Sequence, residues 1–369
     1  GVVIVCLNRP EEHQRWRHLQ GMPVRLSADD SRLELVPWQP DAAREGDSPG
    51  RSDKPVFRLP GQTTGPVRLY RVGEFEVDQV GPKALASRRL HELARQLGSF
   101  AAPDSWGIPF AALAEQTRSA DCSQRIEKCL TDLQRAGSLA HSEAILAELR
   151  TLYRGLTPLS RHPDLLMSLP REQRYAVRSS SNCEDLEGLS GAGWHSSELA
   201  VAWEDIPKAI ASVWSSLWDE AAVAGRFEAG IAQREAQMAV LLQPMLAADY
   251  CFIIHTVNPV SGDADQVYIE LAHGLGEILT SARYRGEPYR LVYAKQRQQA
   301  YIKNYASYLW SLHPGDQGVL QAIPVNYQAS SLWTQPRQLI ALATRLGQVA
   351  VSIEAAMDGA QDIEGCVLD

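Results

Sequence analysis

Residues 176–197 read AVRSSSNCEDLEGLSGAGWHSS. An arginine, Arg178, ends an apolar strand-like run, and three serines, two carboxylates and Gly188, Gly191 and Gly193 follow. Small residues let backbone amides approach a polyphosphate, and a guanidinium fork adds bidentate charge. The stretch reads equally well as a flexible surface loop, because it is neither a Walker A motif nor a GxGxxG fingerprint. Lys83 follows Gly81 and Pro82 at the start of a helical pattern. The positive end of a helix dipole disfavours a lysine unless an anion compensates it, though a solvated lysine is tolerated there. Gln243 interrupts the apolar run AVLLQPML before a proline. The pattern predicts a strand locally broken there, whose backbone could meet a nucleobase edge or simply lie at a sheet edge. Glu270, Glu277 and Glu364 are expected at strand ends of one sheet, where converging carboxylates would suit Mg²⁺. Taken singly, each also fits a solvated or salt-bridged residue. His255 reads as a satisfied core histidine, and His195, in the glycine loop, could touch phosphate.

The elements that must hold these residues follow from periodicity. Residues 1–40 read as strand (Gly1–Leu7), helix (Pro10–Leu19) and two strand pieces (Val24–Leu26, Leu33–Val36), too little to bury a core alone. Residues 41–66, dense in Pro, Gly, Ser and charge, read as a linker. Beyond it the pattern predicts a strand over Leu69–Phe75 and a helix opening at Gly81-Pro82-Lys83 and running to Leu97. Helices dominate from there to about Leu166. A strand begins at Tyr175, and one amphipathic helix runs from Ile206 to Phe227 with Trp214 and Trp218 on its apolar face. Met238–Leu246, Tyr250–Val257 and Gln266–Leu271 read as a three-stranded meander, the second turn carrying Asn258-Pro-Val-Ser-Gly-Asp. A helix over Gln335–Met357 and a strand over Ile363–Leu368 complete an α+β class in two lobes, with a cleft as the default ligand site.

Composition narrows the function classes. The 369 residues carry 36 basic against 44 acidic side chains, net −8, which argues against general nucleic-acid binding. With 45% hydrophobic and 22% charged residues the chain is of globular type, and no run approaches the ~18 apolar residues of a membrane span. The six cysteines form no CxxC pair and read as reduced thiols of a cytosol-like compartment.

Together VGPK (80–83), AVRSSSNCEDLEGLSGAG (176–193), AVLLQPM (239–245), HTVNPVSGD (255–263), ELAHGLGE (270–277) and QDIEG (361–365) occur in this order. The set resembles the nucleotide-binding domain of the dikinase family that includes pyruvate phosphate dikinase, phosphoenolpyruvate synthase and the α-glucan water dikinases. The likeness runs from Arg68 to the end, and the SN-x-EDLEG and HT-x-NP-x-SGD wording looks like that of the glucan enzymes. GVVIVCLNRPEEHQRWRHLQ resembles the segment C-terminal to their phosphohistidine, in enzymes whose swivelling domain precedes the nucleotide domain.

The resemblance implies an ATP-grasp fold binding ATP and Mg²⁺. It places Lys83 and Arg178 on the ATP phosphates, Gly193 and Ser197 in the glycine-loop contacts and Gln243 near adenine. It places Glu364 at the metal, with Glu270 and Glu277 as neighbours. The implied reaction moves the β-phosphate of ATP to a histidine and then to an α-glucan, and the γ-phosphate to water. The alternatives are a phosphoenolpyruvate synthase-like enzyme with pyruvate as acceptor, or a catalytically silent ATP-binding module. The phosphohistidine is expected upstream of Gly1, so no catalytic residue is expected in this chain. The implied partners are a swivel domain and a glucan, with neither nucleic acid nor membrane. The expected location is the cytoplasm, or a plastid in a plant or alga. The Gln-x-Arg-Pro motif expected after QDIEG is not in the sequence. Of the plant enzymes' redox cysteine pair, Cys6 matches the second and Val2 stands at the first.

Overall fold

A computed structural model describes residues 24–28, 33–37, 59–61, 63–136, 142–184, 193–281, 283–315 and 319–368. Two compact units divide the chain, Gly1–Lys54 and Pro55–Asp369. In the first, β1 (Val24–Ala28) and β2 (Leu33–Pro37) pair antiparallel with Leu26 opposite Leu35, at the two strand pieces expected there. The expected strand at Gly1–Leu7, the helix at Pro10–Leu19 and most of the 41–66 linker lie outside the described residues.

The second unit begins with β3 (Tyr70–Arg71), α1 (Val77–Leu97), β4 (Trp106–Ile108), α2 (Phe110–Gln116), α3 (Ala120–Ala136), α4 (Glu143–Arg154), β5 (Tyr175–Ser181), β6 (Glu198–Val201), α5 (Ile206–Ser215), α6 (Glu220–Ala229) and β7 (Met238–Pro244). These strands form an antiparallel sheet ordered β3-β4-β7-β5-β6. Its central strand β7 is buried from Met238 to Leu242 because both faces are covered. Ala239 and Leu241 pack with Phe75, Val80, Ala84 and Phe110 on the α1 side. Met238, Val240 and Leu242 share the other core with Leu133, Leu149, Trp214 and Trp218.

The chain then forms β8 (Tyr250–His255), β9 (Gln266–His273), α7 (Glu277–Thr280), β10 (Tyr289–Ala294), β11 (Gln299–Asn304), β12 (Trp310–Pro314), β13 (Leu320–Pro324), α8 (Ser331–Thr334), α9 (Pro336–Met357) and β14 (Asp362–Val367). A second antiparallel sheet is ordered β11-β10-β9-β8-β14, and β12 and β13 form a separate ribbon. One face of this sheet packs through Val267, Ile269, Leu271, Tyr289 and Leu291 against Leu339, Ala343, Leu346 and Ala350 of α9. By length and composition alone α9 is long and apolar enough to cross a bilayer, a test that the core helix of a globular domain also passes, and its buried stripe serves this core.

The α+β class holds, and four elements differ from expectation. The strand over Leu69–Phe75 shrinks to Tyr70–Arg71, because a 3-10 turn at Val72–Glu74 follows, closed by the Glu74 carboxylate on the Arg71 N–H at 2.8 Å. The helix of Ile206–Phe227 breaks after Ser215 into a 3-10 turn and restarts at Glu220. There the Ser215 and Ser216 hydroxyls bond the carbonyls of Ser212 and Val213 at 2.7 Å, competing with the helix ladder. Trp214 and Trp218 are nevertheless fully buried, as the pattern requires. The meander does not form. Strand β7 belongs to the first sheet, and residues 245–249 cross to the second, from Met245 N–H on the Arg174 carbonyl to Asp249 N–H on that of Val367. Finally, β4, β6 and the four strands between Tyr289 and Pro324 were not foreseen. The Asn258 turn does form: its Oδ1 accepts from the Val260 N–H at 2.9 Å and the Ser261 N–H at 3.3 Å.

Candidate functional site

Gly81 (φ 82°, ψ 171°) stops the first turn of α1 and lets Pro82 open a fresh helix, with Lys83 in its first turn. Only glycine fits, since a Cβ there would stand 2.5 Å from Ser180 Oγ and 2.6 Å from the Ser180 carbonyl. Ser180 Oγ accepts from the Ala84 N–H at 3.2 Å, capping the new helix from the neighbouring strand. Lys83 is thereby held against the end of β5. Its ammonium donates to Ser179 Oγ at 3.4 Å and to Glu184 Oε1 at 3.3 Å.

Arg178 lies opposite Leu241 and Gln243 opposite Ala176, so the two side chains share one face of the first sheet. Gln243 does not break the strand, contrary to expectation. Pairing with β5 runs on to Pro244, while pairing with β4 ends at Leu242 and the Gln243 amide reaches Ser105 Oγ at 3.2 Å. Arg178 crosses to the second sheet, where its Nη1 meets Glu364 Oε2 at 3.4 Å, and its buried Nε has no partner among the described residues.

On the second sheet Glu364 and Glu270 flank Ile253 in one cross-strand row, and so lie on the face opposite α9. Neither is at a strand end, contrary to expectation. Glu277 is not on a strand at all and opens the short helix α7. Burial pushes its carboxyl above the usual range, with Arg178 opposing and Glu364 reinforcing the shift. Glu270 is committed elsewhere, to Arg290 at 3.2 Å. His255 is satisfied, though by a cross-strand ion pair rather than in a core. Its Nδ1 lies 2.6 Å from Asp362 Oδ1, and this bond raises the imidazole pKa and lowers that of the carboxyl.

No group of three or more Asp, Glu, His or Cys side chains among the described residues is arranged to hold a metal ion by itself. Glu364 and Glu277, both within the field of Arg178, fit a cation that takes most of its oxygens from phosphate and water, as Mg²⁺ does. Glu270 stands in the same cross-strand row as Glu364 and is paired with Arg290.

The glycine loop is described from Gly193, whose φ of 76° is left-handed. Its far stem is anchored by Trp194 packed over Gly225 and by His195 Nδ1 donating to the Ser216 carbonyl at 3.1 Å. Burial lowers the His195 pKa to about 4, so the imidazole is neutral near pH 7. Ser197 is exposed. Among the described residues no hydrogen bond joins Gly193 or Ser197 to another candidate.

Two acidic residues escaped the sequence reading. Asp362 shares the face of Glu364, as its two-residue spacing could have told. Glu184 stands in the SNCEDLEG stretch, but nothing in its spacing announces that it folds back on Lys83.

The buried charge of Glu277 has a measurable cost. A carboxyl whose folded pKa is raised binds protons more readily folded than unfolded, so stability falls as pH rises through that folded value. Glu277→Gln should therefore melt higher than the parent at pH 8 and lose this advantage near pH 4. Thermal melts of both proteins across that range check it, and a constant difference would contradict it.

The family model described as the pyruvate phosphate dikinase AMP/ATP-binding domain matches residues 77–368. The chain is similar to the α-glucan water dikinase of Solanum tuberosum, 29% identical over 342 residues, covering 85% of this chain and 22% of the relative. It is 32% identical over 196 residues to the rifampicin phosphotransferase of Streptomyces sviceus, covering 53% and 22%. With the phosphoenolpyruvate synthase of Aeropyrum pernix it shares 35% over 125 residues, 34% and 15% of the two chains. It spans about a fifth of the length of the glucan enzymes it matches. The matched stretch runs from the first turn of α1 to the end of β14, taking in the whole second sheet and every strand of the first except β3, and the chain belongs to the pyruvate phosphate dikinase AMP/ATP-binding domain family.

Proposed function

We propose that the second unit is an ATP-grasp-like nucleotide-binding domain holding MgATP between its two sheets. The supporting observation is Arg178, which reaches Glu364 across the sheets and keeps a buried Nε–H with no partner among the described residues. In this reading Lys83 and Arg178 neutralise the phosphates, and Gly193 and Ser197 flank them at the exit of the glycine loop. Gln243, where pairing with β4 ends, offers the adenine its strand edge. Glu364 and Glu277 would hold Mg²⁺, which when bound offsets charge developing on the phosphoryl oxygens.

The chain's residues thus bind, orient and neutralise. The β-phosphate passes to a histidine outside this sequence and then to an α-glucan, and the γ-phosphate to water. In this reading residues 1–40, of which the β1–β2 pair is described, would be the C-terminal remnant of the swivel domain that carries this histidine. Pyruvate is the rival acceptor, favoured by the stretch shared with phosphoenolpyruvate synthase.

The test uses ATP labelled at the β- or γ-phosphate, with this chain and with the longer protein. The chain should bind MgATP and carry no acid-labile label on any of its nine histidines. The longer protein should take up β-label alone, release γ-label as phosphate, and pass label to glucan and not to pyruvate. Stoichiometric label on the 1–369 chain would overturn the assignment of the acceptor histidine.

A further inference from the structure

The carboxylate behind Lys83 has been given no task. We infer that Glu184 is a positioning residue that fixes the Lys83 ammonium for phosphate; this rests on the reading of Lys83 as a phosphate ligand.

Glu184 ends a turn that is pinned on every side. The Asn182 amide clamps the segment before β7, accepting from the Gln237 N–H at 2.7 Å and donating to the Glu235 carbonyl at 2.8 Å. The Cys183 N–H donates to Ser181 Oγ at 3.2 Å. Glu184 Oε2 accepts from the Ser181 N–H at 3.0 Å, and Oε1 from the Ser179 hydroxyl at 3.4 Å. Ser181, Asn182, Cys183 and Glu184 are all buried. A carboxylate so placed has little freedom, and Lys83 is the one cation hydrogen-bonded to it among the described residues.

The two ends of this pair are unequal. The Glu184 side chain is 5% exposed, and that of Lys83 36%. The ammonium therefore sits at the surface of a fixed buried charge. It has three N–H donors. Glu184 and Ser179 take two, leaving the third for an incoming oxygen. A free lysine on its four-carbon stem would lose rotamer freedom on meeting phosphate, and here that loss is incurred on folding. The same division of labour holds in protein kinases, where a lysine–glutamate pair must be in place before the lysine serves the phosphates. The opposing effect is repulsion between carboxylate and phosphate. It is reduced because Glu184 is screened by two donors from β5, the Ser179 hydroxyl and the Ser181 N–H, and lies behind the ammonium.

A double-mutant cycle separates the possibilities. Calorimetric titrations with MgATP and with adenosine, plus thermal melts, are made on the parent chain, Glu184→Gln, Lys83→Met and the double variant. Glu184→Gln keeps the shape and should weaken MgATP about tenfold, leave adenosine affinity unchanged and melt close to the parent. Lys83→Met strands a buried carboxylate and should melt lower, and adding Glu184→Gln should restore the melt without any further loss of MgATP affinity. Unchanged or tighter MgATP binding in Glu184→Gln would overturn the inference, as would losses that simply add in the double variant. Failure of the parent to bind MgATP, or a Lys83→Met variant binding like the parent, would instead remove the reading of Lys83 itself.

Discussion

Replacing Lys83 by Met or Arg178 by Ala should weaken MgATP binding by about 2–4 kcal/mol, the loss of a charge-assisted contact in a partly desolvated site. That is roughly 30-fold to nearly 1,000-fold in Kd. Lys303→Ala, on β11 and exposed, should change little. The two variants differ in what they leave behind. Without Lys83 the buried Glu184 loses its counter-charge, so part of the effect is a weakened fold. Without Arg178 the half-exposed Glu364 merely returns to water. Titration calorimetry at fixed ionic strength, beside melting curves, divides affinity from stability. Equal affinities in all three variants and the parent would cancel the assignment of this site.

Gly81→Ala should be more damaging than its single methyl suggests. The position combines φ 82° and ψ 171°, a region essentially closed to other residues, with a Cβ that would overlap the Ser180 hydroxyl and carbonyl. Backbone strain of about 1–3 kcal/mol and the forced shift of β5 add, so a loss of about 3 kcal/mol or more is expected. Because Ser180 also caps the helix that carries Lys83, MgATP affinity should fall along with stability. Denaturant unfolding of Gly81→Ala beside Gly193→Ala offers a contrast. Gly193 is also left-handed, but nothing among the described residues lies within 4 Å of its would-be Cβ, so strain is the effect expected there.

Much of this was legible in the residues, for reasons that can be named. Gly81-Pro82 marked the start of a helix because proline's fixed φ suits its first position. The buried β7 showed as an unbroken apolar run, and Trp214 and Trp218 as a helical stripe. What failed were readings in which a local signal met a tertiary constraint. Ile206–Phe227 keeps helical period throughout, yet two buried serines and an extended Asp219 divide it. The three strands from Met238 onward follow one another through short turns as a meander should, but adjacency in sequence does not say which sheet a strand joins. The β10–β11 hairpin turns at Gln298, a non-glycine residue at φ 53°, so no turn signature announced it. At the site, residue types were readable and partners were not. Nothing in the spacing of Glu270 tells that Arg290, its register neighbour on β10, takes its carboxylate.

The bond between Arg178 and Glu364 has a bearing on how affinity responds to salt. At a site of bare cations an entering polyphosphate displaces solution ions, and binding weakens steeply as salt rises. Here the cation already carries an ion supplied by the chain itself, 186 positions away in sequence. An arriving phosphate displaces that carboxylate rather than a mobile anion, so net charge is exchanged within the protein. MgATP affinity should accordingly decline only gently between low and physiological ionic strength. Glu364→Gln, whose Arg178 must borrow its neutralisation from the buffer, should restore the steeper dependence even while lowering affinity.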